Sequence, residues 1–314
     1  MEKVFLAAEK FGFQPTGRYF QLNSYENRVF EIFCENSQGS QEKIIVKAYR
    51  PGRWPKLAIQ EEHNFLFDLT NNDFPSVTPF LTQSKNSIYF DGEFFFSIFP
   101  KIKGRMPDEL SDNDLIQIGQ RLALLHNIGQ KKNAVHRPSL HVNWDVLDQL
   151  AHWVAPEVEG RYFSCTEQLF EMMEDAFDDQ PYFRVHGDCH RGNILKTDPS
   201  SGDPQYFFVD FDDFINGPAV QDFWMLLSSQ DSEDNSELDC LKKGYTKIRQ
   251  FPDDGTRCIP LLRAHRIINY SNWIAQRWGD PTFPHIFPQF KDYSFWASET
   301  EALEKILWTA NKTY

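Results

Sequence analysis

The segment His186-Gly187-Asp188-Cys189-His190-Arg191-Gly192-Asn193-Ile194-Leu195, followed by the apolar run Tyr206-Phe207-Phe208-Val209 that ends in Asp210, constrains this chain more than any other stretch. Residues 193–196 and 205–209 have the composition of two short strands, and 197–204 between them is rich in Asp, Ser, Gly and Pro, the residues of a turn. A hairpin here brings Asn193 and Asp210 to one mouth, with Asp188 on the loop leading into it. Phosphoryl transfer from Mg-ATP needs that trio, because the protein mainly has to orient a hydroxyl and hold magnesium against the phosphates. Asp188 is the candidate catalytic base, and Asn193 and Asp210 are candidate Mg²⁺ ligands. Oxygen donors from two side chains, completed by phosphates and water, suit that hard ion.

Two other chemistries fit part of this string. Gly187-Asp188-Cys189-His190 looks like the Gly-Asp-x-His element of two-metal phosphoesterases, but no Gly-Asn-His string with a following carboxylate occurs downstream. His186, Cys189 and His190 have zinc-ligand chemistry, yet no second Cys/His cluster closes a tetrahedral site.

At 314 residues, with 41% hydrophobic and 15% aromatic content, the chain has the length of about two domains and ample core material. Its net charge of −13, without a Lys/Arg stripe, argues against a nucleic-acid or anionic-membrane partner. Five scattered cysteines (Cys34, Cys165, Cys189, Cys240, Cys258) fit reduced thiols in a cytoplasm. The opening residues do not have the pattern of a signal peptide, and no apolar run approaches a membrane span.

Residues 18–22, 28–33, 43–49 and 94–99 are β-branched or aromatic runs, and Ala58, Glu62, Phe65, Leu66 and Leu69 follow helical spacing. These predict a small antiparallel sheet with one helix. After Gly104 the pattern turns helical: a helix capped by Ser111 and ended by Gly129, then helices over about 166–177, 218–227, 259–278 and 299–311, with acidic residues 231–237 as a solvated loop. The expected fold is α+β and bilobal, with a sheet lobe over 1–100, a hinge and a helical lobe over 101–314, and ATP between them.

Lys47, at the end of an apolar strand, is the candidate cation on the phosphates, and Glu62 is its candidate partner, with Glu61 as runner-up. The turn 23–27 has no glycine-rich loop, so Ser24 and Asn27 are the candidate phosphate-side donors. Ile98 and Phe99 are expected to line the adenine slot, with backbone groups near Pro100-Lys101 as the hinge. Arg263, Arg266, Asn269, Tyr270, Trp273, Arg277 and Trp278 recur along one predicted helix and are candidates for the lip of the acceptor site.

These motifs resemble the aminoglycoside phosphotransferase/choline kinase group of protein-kinase-like folds. The strings 22–29 and 216–222, with Arg277-Trp278-Gly279-Asp280-Pro281, resemble the stress response kinase A family within it. The resemblance implies a monomeric, cytoplasmic, Mg-ATP-dependent serine/threonine protein kinase used in envelope and oxidative stress. By the same resemblance Ser24 touches ATP, Asp188 accepts the proton, Asn193 and Asp210 bind magnesium, and Asp222 braces the catalytic loop. His186-Gly187-Asp188 stands where ordinary protein kinases have His-Arg-Asp, Asp212 stands where they have glycine, and Ala-Pro-Glu is absent. Those departures leave a small-molecule alcohol as the alternative acceptor.

Overall fold

The computed structural model describes residues 1–22, 26–35, 41–197, 205–228, 236–252 and 255–313. Helix α1 (Glu2–Lys10) precedes strands β1 (Gln14–Leu22), β2 (Arg28–Glu35) and β3 (Gln41–Ala48). Helix α2 (Lys56–Thr70) and strands β4 (Tyr89–Phe90) and β5 (Phe95–Pro100) complete an antiparallel sheet of order β1-β2-β3-β5-β4. Period-two alternation gives this sheet two different faces. Phe30, Ile32, Val46, Phe96 and Ile98 bury against Val4, Ala7 and Ala8 of α1, a helix beyond the one expected. The opposite face carries Lys47, which meets α2.

Helix α2 is shared between the two lobes. Its Phe65, Leu66 and Leu69 belong to the large core cluster, and the Phe65 ring sits edge-on to Phe211 at 5.6 Å. Burying aromatic side chains of this size contributes about 2–3 kcal/mol each. The helix that faces Lys47 is thereby fastened to the segment carrying Asp210–Asp213.

The second lobe contains β6 (Gly104–Arg105), α3 (Asp112–Gly129), α4 (Asp145–Leu150), α5 (Glu159–Asp178), β7 (Phe183–Val185), β8 (Ile194–Thr197), β9 (Tyr206–Phe208) and β10 (Ile215–Gly217). It ends with α6 (Gln221–Trp224), α7 (Ser236–Tyr245), α8 (Cys258–Arg277), α9 (Thr282–Ile286) and α10 (Tyr293–Thr313). Ser111 caps α3 through a reciprocal pair with Asp114, which satisfies two amides left open at the helix start. Gly129 does not end α3 as a cap but is its last helical residue. A Cβ there would lie 2.1 Å from the Arg184 carbonyl oxygen, so close contact with β7 is what requires glycine. The acidic run 231–237 is not loop throughout, since Ser236 and Glu237 open α7. Among the described residues no helix is long and apolar enough to cross a membrane.

Where α10 meets α8 and α5, Ser271 Oγ lies 2.8 and 2.6 Å from the two carboxylate oxygens of Glu299, and Tyr162 donates to it at 3.3 Å. Burial pushes the Glu299 carboxyl up to about 7, against the pull of those hydrogen bonds. A carboxyl raised on folding is bound to its proton more tightly in the folded state. Its contribution is therefore complete below the unfolded value of 4.5 and is lost as pH rises through about 7. Glu299→Gln should remove about 2 kcal/mol of that loss between acid and neutral pH, discounted for partial solvent contact. Urea denaturation at several pH values measures it, and parallel pH profiles for the two proteins would refute the assignment.

Candidate active site

The hairpin β8–β9 forms with Ile194 opposite Phe208, and residues 198–204 of its turn lie outside the described residues. Val209 N–H donates to the Asn193 carbonyl at 3.0 Å, and Asn193 Nδ2 donates to the Asp188 carbonyl at 2.9 Å. These two hydrogen bonds bring Asp188, Asn193 and Asp210 to one mouth. Asp210 itself has φ 61° and ψ 63°, a left-handed conformation that costs a non-glycine residue about 1–2 kcal/mol. It is followed by a tight turn, Phe211–Asp213.

The loop that carries Asp188 hangs from a single buried carboxylate. Asp222 accepts the His186 and Gly187 amides, each at 2.8 Å, and His126 Nε2 at 3.1 Å. Because a carboxylate only accepts, the His126 proton sits on Nε2 and its Nδ1 accepts from Tyr245 Oη at 2.9 Å. Burial keeps His126 below its ordinary pKa and so neutral, with Asp222 pulling the other way. Gly187 has φ +82°, and a Cβ there would meet the Asp213 carbonyl oxygen at 2.3 Å, so only glycine fits this crossing. His186 Nε2 donates to the Val209 carbonyl at 2.9 Å, linking the loop that carries Asp188 to the segment that follows β9 and leads into Asp210.

Lys47 Nζ lies 3.2 Å from Glu62, 3.5 Å from Asp210 and 2.9 Å from Asp212. Glu61 instead accepts the Val135 and His136 amides at 2.8 Å each and takes no part in this cluster. Burial opposes the Lys47 charge, but Asp212 and Glu62 hold its ammonium well above the usual range. Asp212 is likewise buried, which pushes its carboxyl up. Lys47 and Arg53, the latter at 2.6 Å, more than offset that and hold it well below the usual range.

Several of these groups were not among the residues singled out from sequence. Arg53 pairs with Asp212 and Asp213, and the buried guanidinium of Arg137 lies between the rings of Trp54 and Phe214 at 4.2 and 4.4 Å. Arg137 donates to the Phe211 carbonyl at 3.1 Å and to that of Asp212, fixing the turn after Asp210. Glu26 is bound by Arg277 at 2.7 Å and by the Trp273 indole N–H, which ties the chain just before β2 to α8. The run of carboxylates at 210, 212 and 213 was a readable sign that cations had to converge there. Nothing in the local sequence pointed to Arg137 or Glu26.

The nucleotide-side candidates separate. Ser24 lies outside the described residues. Asn27 is buried, and its Oδ1 accepts the Arg50 amide at 3.1 Å, so it braces the start of β2 against the segment that follows β3. Phe99 pairs with Ile45, and Ser97 with Lys47, so Phe99 shares the Lys47 face. Ile98 is a correction. It pairs with Val46 on the opposite face and is buried against α1, so its side chain cannot line a slot beside Lys47. Ile45, Ser97 and Phe99 occupy that face instead.

On α8, Arg266 Nη1 donates to Asp188 Oδ1 at 2.7 Å. Trp278 packs against Trp153 and Phe290 at 5.5 and 5.3 Å, so the aromatics of this helix divide between cleft and core.

The oxygen donors fit a magnesium ion held against phosphate. The Asp210 side chain is half exposed beside the ammonium of Lys47, and the Asn193 amide oxygen has no hydrogen-bond partner among the described residues. A zinc site does not fit: His186 is bonded to the Val209 carbonyl, Cys189 is buried with its thiol pushed well up by burial, and no three-ligand His/Cys/Asp/Glu group occurs among the described residues.

Residues 21–256 match the family described as "Phosphotransferase enzyme family". The chain is 33% identical over 285 residues to stress response kinase A of Escherichia coli strain K12, covering 89% of this chain and 84% of that one. It is 32% identical, with the same coverage, to serine/threonine protein kinase RdoA of Salmonella typhimurium strain LT2. Among solved structures it resembles an amicoumacin kinase in complex with AMP-PNP and Ca²⁺, with TM-score 0.73, 16% identity and coverage of 97% and 93% of the two chains. It also resembles a spectinomycin phosphotransferase in complex with ADP and spectinomycin, with TM-score 0.69, 13% identity and coverage of 99% and 98%. At such identities these likenesses establish the fold, a bilobal kinase-like one.

Proposed function

The chain belongs to the phosphotransferase enzyme family, and from that premise we propose that it transfers the γ-phosphoryl group of Mg-ATP to a serine or threonine hydroxyl of a protein. The setting we propose is a bacterial response to envelope or oxidative stress, with the enzyme acting as a cytoplasmic monomer. The observation that carries the reading is the meeting, at one mouth, of the Asp188–Asn193–Asp210 loop and the buried Lys47–Glu62 pair. In this reading residues 1–100 form the nucleotide-side lobe and residues 101–314 the hinge and catalytic lobe.

Lys47 supplies a fixed positive charge for the phosphates, and Glu62 and Asp212 keep it charged and in place. Asn193 and Asp210 would hold Mg²⁺, which when bound neutralises charge on the transferring phosphoryl group. Asp188 takes the acceptor proton, on the oxygen not engaged by Arg266. Asn27 is braced to Arg50 on the phosphate side, and Ser24 is proposed to touch ATP. The adenine slot lies on the Lys47 face, with Phe99 in its lining.

A small-molecule alcohol is the second reading, and one feature favours it. After Asp210 the chain passes through a three-residue turn directly into β10 and α6, so no long segment is available to build a peptide groove. The two readings separate on incubation of the protein with γ-labelled ATP, Mg²⁺ and a panel of proteins, serine peptides and small alcohols. Label on serine or threonine is expected. Label confined to small alcohols would replace the protein-kinase reading, and no magnesium-dependent label on any acceptor would remove the enzyme reading altogether.

A further inference from the structure

Helix α8 turns one stripe toward the cleft. Arg266, Tyr270, Trp273 and Arg277 follow one another at steps of four, three and four residues, which stacks them on one face. One end of the stripe touches the candidate base through Arg266. The other end holds Glu26 through Trp273 and Arg277. Between them Tyr270 lies flat on Trp273, with ring centroids 5.4 Å apart and planes 15° from parallel. The stripe therefore runs from Asp188 at one end to Glu26 at the other, along the side of the cleft that carries the candidate base.

Arg266 decides what such a compound can be. Its Nη1 is spent on Asp188 Oδ1, while the rest of its planar fork has no partner among the described residues and its side chain is 45% exposed. A guanidinium with an open edge beside the base matches a carboxylate or phosphate, which it can grip through two parallel N–H bonds. It is mismatched to an ammonium, which would meet a like charge and compete with Arg266 for Asp188.

We propose that Arg266 recognises the acceptor, and that the acceptor carries an anionic group, a carboxylate or a phosphate, beside its reacting hydroxyl. The inference rests on the phosphotransferase reading above. In the reaction the acceptor oxygen forms a bond to the γ-phosphorus and its proton passes to Asp188 Oδ2. The bond from the γ-phosphorus to the bridging oxygen breaks, and ADP leaves with that electron pair.

The test uses the full chain and acceptors paired by charge. One pair is a serine peptide flanked by Glu and the same peptide flanked by Lys; the other is 4-hydroxybutanoate and 4-aminobutan-1-ol. The native enzyme is expected to favour the anionic member of at least one pair by about tenfold or more in kcat/KM, the size of one charge-assisted contact, and the pair that responds tells polypeptide from small-molecule acceptors. Arg266→Ala should erase the preference, Arg266→Glu should invert it, and Arg266→Lys should keep most of it. A merely structural role for Arg266 would scale both members alike. Equal use of each pair, preference for the cationic member, or a preference that survives in Arg266→Ala would overturn the proposal while leaving the enzyme reading intact. Loss of both Mg-ATP binding by calorimetry and all transfer in the native protein would overturn the phosphotransferase reading and this inference with it.

Discussion

Replacing Asp188 by alanine is expected to leave Mg-ATP affinity near that of the native protein while lowering phosphoryl transfer about 10²–10⁴-fold, the range for loss of a positioned acid–base group. The separation follows from what the side chain touches. Its carboxylate meets Arg266 at 2.7 Å and His190 at 3.7 Å, and neither oxygen is paired with Lys47. The loop shape is held instead through the Asp188 backbone carbonyl, which accepts His190 N–H and Asn193 Nδ2, each at 2.9 Å. Truncation at Cβ therefore leaves Asn193 and Asp210 in place. Calorimetric titration with Mg-ATP and single-turnover transfer, run on the same preparation, measure the two quantities. Native turnover in the variant would end the assignment of Asp188 as base, and a parallel collapse of nucleotide binding would make its role structural.

The parts legible in the sequence are those fixed by local rules. The strand runs are rich in β-branched and aromatic residues, and the turn residues between 193–196 and 205–209 announce a hairpin, so the convergence of residues 188, 193 and 210 needed little long-range information. Ile98 shows the limit of such rules. Alternation says which residues share a face, but choosing the face that meets Lys47 requires the register of β3 with β5. The ion network was hidden for a different reason. A buried arginine and a solvated one have the same local sequence, and Arg53 finds Asp213 across 160 residues. Helix α7 was obscured by the acidic run at its start, although carboxylates in a first turn favour a helix and Leu238, Leu241 and Tyr245 mark its buried face.

Asp222→Ala should have the largest effect on stability, about 3–5 kcal/mol, the cost of removing one partner from a buried charged network. The carboxylate is completely buried and serves three N–H donors: the amides of His186 and Gly187, and His126 Nε2. None of the three can turn to water when the acceptor is lost. His126 is enclosed between α3 and α7 by its bond to Tyr245, and Gly187 is pinned against the Asp213 carbonyl in a left-handed conformation. Each orphaned donor then carries its desolvation cost uncompensated. The damage should also reach the chemistry. Asp188 follows Gly187 directly, so a loosened loop misplaces the candidate base while Lys47, held by Glu62 and Asp212, keeps its position. Urea denaturation gives the stability loss, and transfer measured at temperatures where the variant remains folded gives the second effect. Transfer should fall further than Mg-ATP affinity does. A variant less than about 1 kcal/mol below the native protein would mean that water replaces the carboxylate, and that the catalytic loop is shaped by the Gly187 crossing and the His186–Val209 bond instead.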